Sequence, residues 1–444
     1  MNISGKTKFI TAIAANQKGE IFDLPGYAGL GMSGNILQPL TTENTTPVPY
    51  GTELMLLPER KPIFYNISTE KIETLTFNPF DPTEKIYPVA AFNSPGYILT
   101  YTCAYREKKN AVSLPLFSYG AAGWHDNRFV SAVISVDLEK RQDLRCMPIE
   151  KVTKGVKALR KKLPDNRLRK HLEKCALTYG CPAGKNLFIK RYEAPLPTSA
   201  TCNAKCLGCL SLQKNSGIRS SQDRIEFKPS PTEISEIALE HILSVKKSIV
   251  SFGQGCEGDP IFAADVIEPA VKMVRQKTLE GTINVNTNAS KPKILTKFFN
   301  AGIDSIRVSI NSFRKACYNA YFRPQNYTFN DVMQTIDIAC KKNIFVSVNY
   351  LNCPGFTDAE KEAEAFISFL KNNKINRIQW RNLNYDPIKY IMAMNKAENS
   401  GAPYGVKNHL KNIAKTFPNV QFGYFNPPKE DFKEPNRFLF LNKI

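Results

Sequence analysis

Ser248-Ile249-Val250-Ser251-Phe252 runs directly into Gly253-Gln254-Gly255-Cys256-Glu257-Gly258-Asp259-Pro260, a short apolar strand followed by a glycine-rich loop. The same rhythm recurs downstream, at Thr282–Thr287, Ser305–Ile310, Ile344–Tyr350 and Ile375–Arg381, and upstream at Leu187–Tyr192. Helical patterns lie between these runs. Ser230-Pro231-Thr232-Glu233 and Thr357-Asp358-Ala359-Glu360 read as capping boxes, and the helix around Lys293 to Asn300 meets a stop signal at Gly302. Strands that begin about 20 to 40 residues apart with helices between them predict parallel βα units. Six such units make an α/β fold, a partial (β/α)6 TIM-like barrel, whose ligands belong at the C-terminal ends of the strands.

Cys202-Asn203-Ala204-Lys205-Cys206-Leu207-Gly208-Cys209 stands just after the first predicted strand, with three and then two residues between its thiols. Thiolates are soft ligands that suit iron–sulfur clusters or zinc. A closed site needs four ligands, so three leave one iron of a cubane open. The alternative is structural zinc, with a fourth ligand from Cys175, Cys181 or Cys256.

Other strand ends are polar. Alternation in Arg307-Val308-Ser309-Ile310-Asn311 sends Arg307, Ser309 and Asn311 to one face. Asn286 and Asn288 flank Thr287. Asn349-Tyr350-Leu351-Asn352-Cys353-Pro354-Gly355 and Gln379-Trp380-Arg381-Asn382-Leu383-Asn384 place amides at the mouth, with Arg381 as an anion clamp.

The triplet's spacing, its position and these strand ends resemble the radical S-adenosylmethionine (SAM) superfamily over about residues 187–390. More narrowly, the sequence is similar to a bacterial subgroup with a β-rich N-terminal extension. The resemblance implies an enzyme in which Cys202, Cys206 and Cys209 hold a [4Fe–4S] cluster. SAM binds its open iron and is cleaved reductively to a 5′-deoxyadenosyl radical, which takes hydrogen from an unidentified substrate. It also implies an electron donor such as flavodoxin or ferredoxin. Glu257-Gly258-Asp259-Pro260 matches the family's Gly-Gly-Glu-Pro loop, with Asp259 in place of the usual Glu. The cofactor-binding set is then Gly255, Glu257, Gly258, Asp259, Asn286, Asn288, Arg307, Ser309 and Asn311, with loop carbonyls or a carboxylate meeting the SAM ammonium. Gly208 departs from the aromatic residue that many members place before the last cysteine. Candidates for a catalytic role are Cys256, Cys353 and Arg381.

Around this core the chain divides into a β-rich domain at 1–150, a basic helical connector at 151–186, the barrel at 187–400 and an α/β extension at 401–444 with a strand at Asn419–Phe425. Strands are expected at Ile86–Phe92, Tyr97–Thr102 and Phe129–Val136. Phe9–Ala15 after Lys6 and Lys8 reads as the first arm of a β-hairpin rather than an export signal. The formal charge is +20, part of it crowded between Lys151 and Lys174, a stretch able to hold the phosphates of RNA. A zinc-stabilised RNA-binding module is therefore the rival to an enzyme. Eleven cysteines, an odd number with three clustered, favour thiolate chemistry in the cytoplasm over paired disulfides. Cys175 and Cys181 raise the possibility of an auxiliary cluster. The four histidines show no metal spacing, and no apolar run approaches the roughly 20 residues of a membrane span.

Overall fold

The computed structural model describes residues 8–213 and 216–435. Lys6 and the end of the predicted extension, 436–444, lie outside the described residues.

The central sheet has seven parallel strands in chain order: β1 Glu193–Pro195, β2 Ile249–Phe252, β3 Thr282–Thr287, β4 Ser305–Ile310, β5 Phe345–Asn352, β6 Arg377–Asn382 and β7 Gln421–Gly423. It is an open half-barrel, one strand larger than the spacing predicts. β7 comes from the predicted extension and pairs with β6, so it completes the sheet's far edge. At the other edge the prediction is displaced. Leu187 and Phe188 end the helix Pro182–Phe188, and Lys190 and Tyr192 adopt positive φ (53° and 45°), which interrupts any strand there. The strand falls instead on Glu193–Pro195, just beyond the predicted run. A proline is tolerated because β1 is an edge strand, paired only with β2.

Local signals mostly hold. Ser230 and Glu233 form the capping box, and Gly302 ends its helix at φ 116°. The second capping box does not form, since the helix Glu360–Asn372 has no side-chain cap. Asp358 turns away to accept from the N–H groups of Gly355 and Gly405, and Thr357 Oγ1 accepts from Cys353 N. Tertiary partners outcompete the local cap.

The connector comprises α1 Ile149–Lys162, α2 Arg167–Leu177 and α3 Pro182–Phe188. Five of the ten basic residues between Lys151 and Lys174 are paired with carboxylates. Arg160 and Arg169 meet Glu173, Lys162 meets Glu240, Arg167 meets Glu233, and Lys174 meets Asp223. Glu233 also accepts from Ser230 N, and its carboxyl is lowered to about 2, chiefly by the Arg167 guanidinium. A carboxyl depressed in the folded chain stabilises it above the unfolded pKa, and that contribution fades as pH falls from about 4.5 toward 2. Thermal unfolding across this window should therefore be less steep in pH for Glu233→Gln than for the wild type. An unchanged slope would exclude the linkage.

Among the described residues, the N-terminal domain is built on a twelve-stranded sheet with two smaller strand pairs. Thr11–Ala15 pairs antiparallel with Ile21–Ser33 across a turn in which Asn16 Oδ1 accepts from Lys18 N and Glu20 N, the hairpin expected. The strand at Ile86–Phe92 forms from Tyr87, whereas Tyr97–Thr102 and Phe129–Val136 are each broken in two.

This domain docks on the barrel mouth. Asn382 takes the N–H of Leu99 at 2.9 Å and donates to Tyr97 O at 3.0 Å; Asn352 donates to Leu99 O at 2.9 Å. Asp386 accepts from buried Arg60 and from the Tyr105 hydroxyl. Gly355, at φ 91°, packs so closely that a Cβ would lie 1.8 Å from Gly34 N. Asn352 and Asn382, expected at the mouth as ligand contacts, are thus engaged by the first domain.

Candidate metal and cofactor site

The cysteine loop leaves β1 and is strapped down by its backbone. Lys205 N donates to Phe322 O and Leu207 N to Tyr321 O, while Asn203 bonds Ser290 and Asn288. These bonds hold the loop without using the thiols. Cys202, Cys206 and Cys209 are all partly exposed and free. Three N–H donors approach them: Ala204 N lies 3.4 Å and Asn288 Nδ2 3.9 Å from Cys202 Sγ, and Arg224 lies 3.6 Å from Cys209 Sγ. Arg224 is held there by bonds to Ser211 Oγ and Ala200 O. Burial pushes the Cys202 thiol up to about 12 and raises Cys206 as well, so an adjacent cation is needed to make thiolates of them. Three thiols free of disulfides, two of them met by N–H donors, fit an iron–sulfur cluster. Among the described residues the three sulfurs do not all lie within 4.8 Å of one another.

The glycine-rich loop lies beside them, but its carboxylates are not open to a ligand. Glu257, 3% exposed, accepts from Thr198 N (2.8 Å), Ser199 N (3.2 Å), Gly253 N (2.6 Å) and Gln254 N (2.8 Å). Burial nevertheless raises its carboxyl to about 7. Asp259 accepts from Thr287 Oγ1 and from the N–H groups of Asn288 and Ile261. Both carboxylates knit the glycine-rich loop to its neighbours. Gly258 is needed for close approach, since a Cβ would lie 2.1 Å from Thr201 O. Gly255 has only the Gln222 side chain against it.

Of the other predicted residues, Asn288 reaches the cysteine loop, and Asn286 bonds Gly253 O at 3.2 Å. Arg307 and Ser309 are partly buried on the alternate positions of β4. Arg307 is lowered to about 9, first by burial and then by the nearby Arg381, so the two guanidinium groups share a neighbourhood. Arg381 lies 3.8 Å over the Tyr424 ring. Asn311 departs from the open face: it is fully buried, donating to Cys317 O and the Tyr390 hydroxyl. Cys353 is 2% exposed, and burial raises its thiol. Cys256, also buried, faces Cys175 and His171. Sequence reasoning missed Arg224 and Asn203, whose partners lie 13 to 24 and 85 to 87 residues away in the chain, beyond the reach of a local pattern.

Residues 196–367 match the family described as the radical SAM superfamily. The chain carries a radical SAM domain. The match spans the cysteine triplet and strands β2 to β5. No match was found among curated proteins. Solved structures similar to the chain include methylornithine synthase (13% identity, 63% of this chain and 72% of that one, TM-score 0.36). The [FeFe]-hydrogenase maturase HydG from Carboxydothermus hydrogenoformans is similar at 15% identity, over 58% and 68%, with TM-score 0.32. Streptococcus suis SuiB is similar at 11%, over 69% and 68%, with TM-score 0.35. Likeness at these levels says nothing of substrate. Among the described residues no helix is long and apolar enough to cross a membrane.

Proposed function

We propose that the protein is a radical SAM enzyme whose Cys202, Cys206 and Cys209 hold a [4Fe–4S] cluster open at one iron. The observation that carries this is the triplet itself: three free thiols on one anchored loop at the end of β1, within the matched domain. The cluster supplies, when bound, the electron that cleaves SAM to a 5′-deoxyadenosyl radical. The chain's own part is to position and shield. Asn288 and Arg224 direct N–H groups at the sulfurs, the glycine-rich loop brings backbone close, and Arg307 with Ser309 lines the SAM side of β4. An electron donor such as flavodoxin or ferredoxin fits the same chemistry.

The substrate side is the cavity of about 550 Å³ between the two domains, lined by Tyr50, Tyr97, Asn384 and Tyr424 among others. Asn384 connects it to the cluster loop, because its carbonyl lies 3.0 Å from where a Cβ on Gly208 would be. Arg381, stacked on Tyr424, offers a cation to an anionic substrate group there.

The test is anaerobic reconstitution with iron and sulfide. An EPR signal from the reduced protein that changes on adding SAM, with 5′-deoxyadenosine released, is the expected result. A spectrum indifferent to SAM would overturn it. Arg224→Met, which removes a positive charge and an N–H donor from Cys209, should shift the cluster's midpoint potential to more negative values in a redox titration. Lysine at this position should recover part of the shift. No movement would remove Arg224 from the cluster's surroundings.

A further inference from the structure

We propose that His171, Cys175 and Cys256 bind one zinc ion, separate from the triplet, that pins α2 to the glycine-rich loop. Their ligand atoms all lie within 4.8 Å of one another. His171 and Cys175 stand four residues apart on α2 and so share a helix face; Cys256 reaches them from the loop after β2. The distance from Cys175 Sγ to His171 Nε2 is 3.5 Å. A tetrahedral zinc with bonds of about 2.3 Å to sulfur and about 2.05 Å to nitrogen has an S···N edge of roughly 3.6 Å. The two atoms are therefore already at the spacing one ion would impose.

Several further features favour this assignment. Cys175 and Cys256 are 2% and 4% exposed, while His171 is partly exposed and gives an ion an entry path. The tight grouping suits one ion better than a cubane, which spreads its ligands over different irons. Cys181 donates its backbone N–H to Cys175 O but lies outside the group, so water takes the fourth position. The consequence is mechanical. Cys256 adjoins Glu257, whose carboxylate ties the glycine-rich loop to Thr198 and Ser199 at the root of the cysteine loop.

The test uses the full chain, with its iron–sulfur cluster reconstituted wherever the triplet is intact, equilibrated with zinc, desalted, and analysed for metals. About one zinc per chain is expected in the wild type and in Cys202→Ala/Cys206→Ala/Cys209→Ala. It should be lost in Cys175→Ser/Cys256→Ser, with affinity weakened roughly 100-fold or more. His171→Ala, at a partly exposed position, serves as the variant least disturbing to the fold, and cobalt in place of zinc should give the absorption of a tetrahedral two-thiolate site. The proposal is overturned if no zinc is retained, or if retained zinc ignores His171, Cys175 and Cys256. It fails equally if these residues carry iron and sulfide instead, or if mass spectrometry finds Cys175 and Cys256 joined as a disulfide. The zinc count does not depend on SAM cleavage, so the two readings fail separately.

Discussion

Cys202→Ala/Cys206→Ala/Cys209→Ala should lose the iron–sulfur EPR signal and all release of 5′-deoxyadenosine while keeping its fold. The loop is anchored through Lys205 N, Leu207 N and the Asn203 side chain, none of which is altered. Each thiol is partly exposed, so truncation removes little buried surface, and the destabilisation should stay near 1 kcal/mol per site. Circular dichroism should superimpose on the wild type. The loss of chemistry is total because three ligands already leave one iron open, and removing them leaves no chelate. Release of 5′-deoxyadenosine by this variant above background would show that the electron comes from elsewhere.

Glu257→Gln should have the second large effect, on stability and cluster loading together. Four backbone N–H groups point at the two carboxylate oxygens, two at each. An amide must turn its NH2 toward one of these pairs, leaving two buried donors without an acceptor. At about 1–3 kcal/mol for each unsatisfied group, the loss is roughly 2–4 kcal/mol after partial relaxation. The melting temperature should fall by on the order of 5 °C or more. Cluster yield should fall with it, because Thr198 and Ser199 begin the segment that carries the triplet. Glu280→Gln, at an exposed position, is the control and should move neither measurement. If Glu257→Gln melted with the wild type and loaded its cluster normally, the carboxylate would not be the tie between the two loops.

The sequence was most legible where the physics is local. Strand residues in β2, β3 and β4, the Ser230 capping box and the Gly302 stop depend on neighbours within a few positions, and they stand close to where the sequence puts them. The ends of the sheet were less legible. A three-residue edge strand carries too little pattern to outweigh the apolar Leu187–Tyr192, whose first residues are buried by a helix instead. β7 joined the sheet from a segment assigned to an extension, because pairing with β6 is a contact between residues about 44 apart.

The candidate site divides in the same way. By itself the sequence determined the three thiols at fixed spacing, the glycines beside them and the parallel βα order that brings both to one end of the sheet. Only the tertiary structure decided what each polar group there is free to do. Alternation assigns a side chain to a face but says nothing of its partner. The partner of Asn382 is a strand edge more than 280 residues earlier, that of Glu257 a turn nearly 60 residues away, and that of Cys256 a helix in the connector. Hydrogen bonds and metal ligation are set at distances of a few ångströms between residues far apart in the chain, so their partners exist only once the chain has folded.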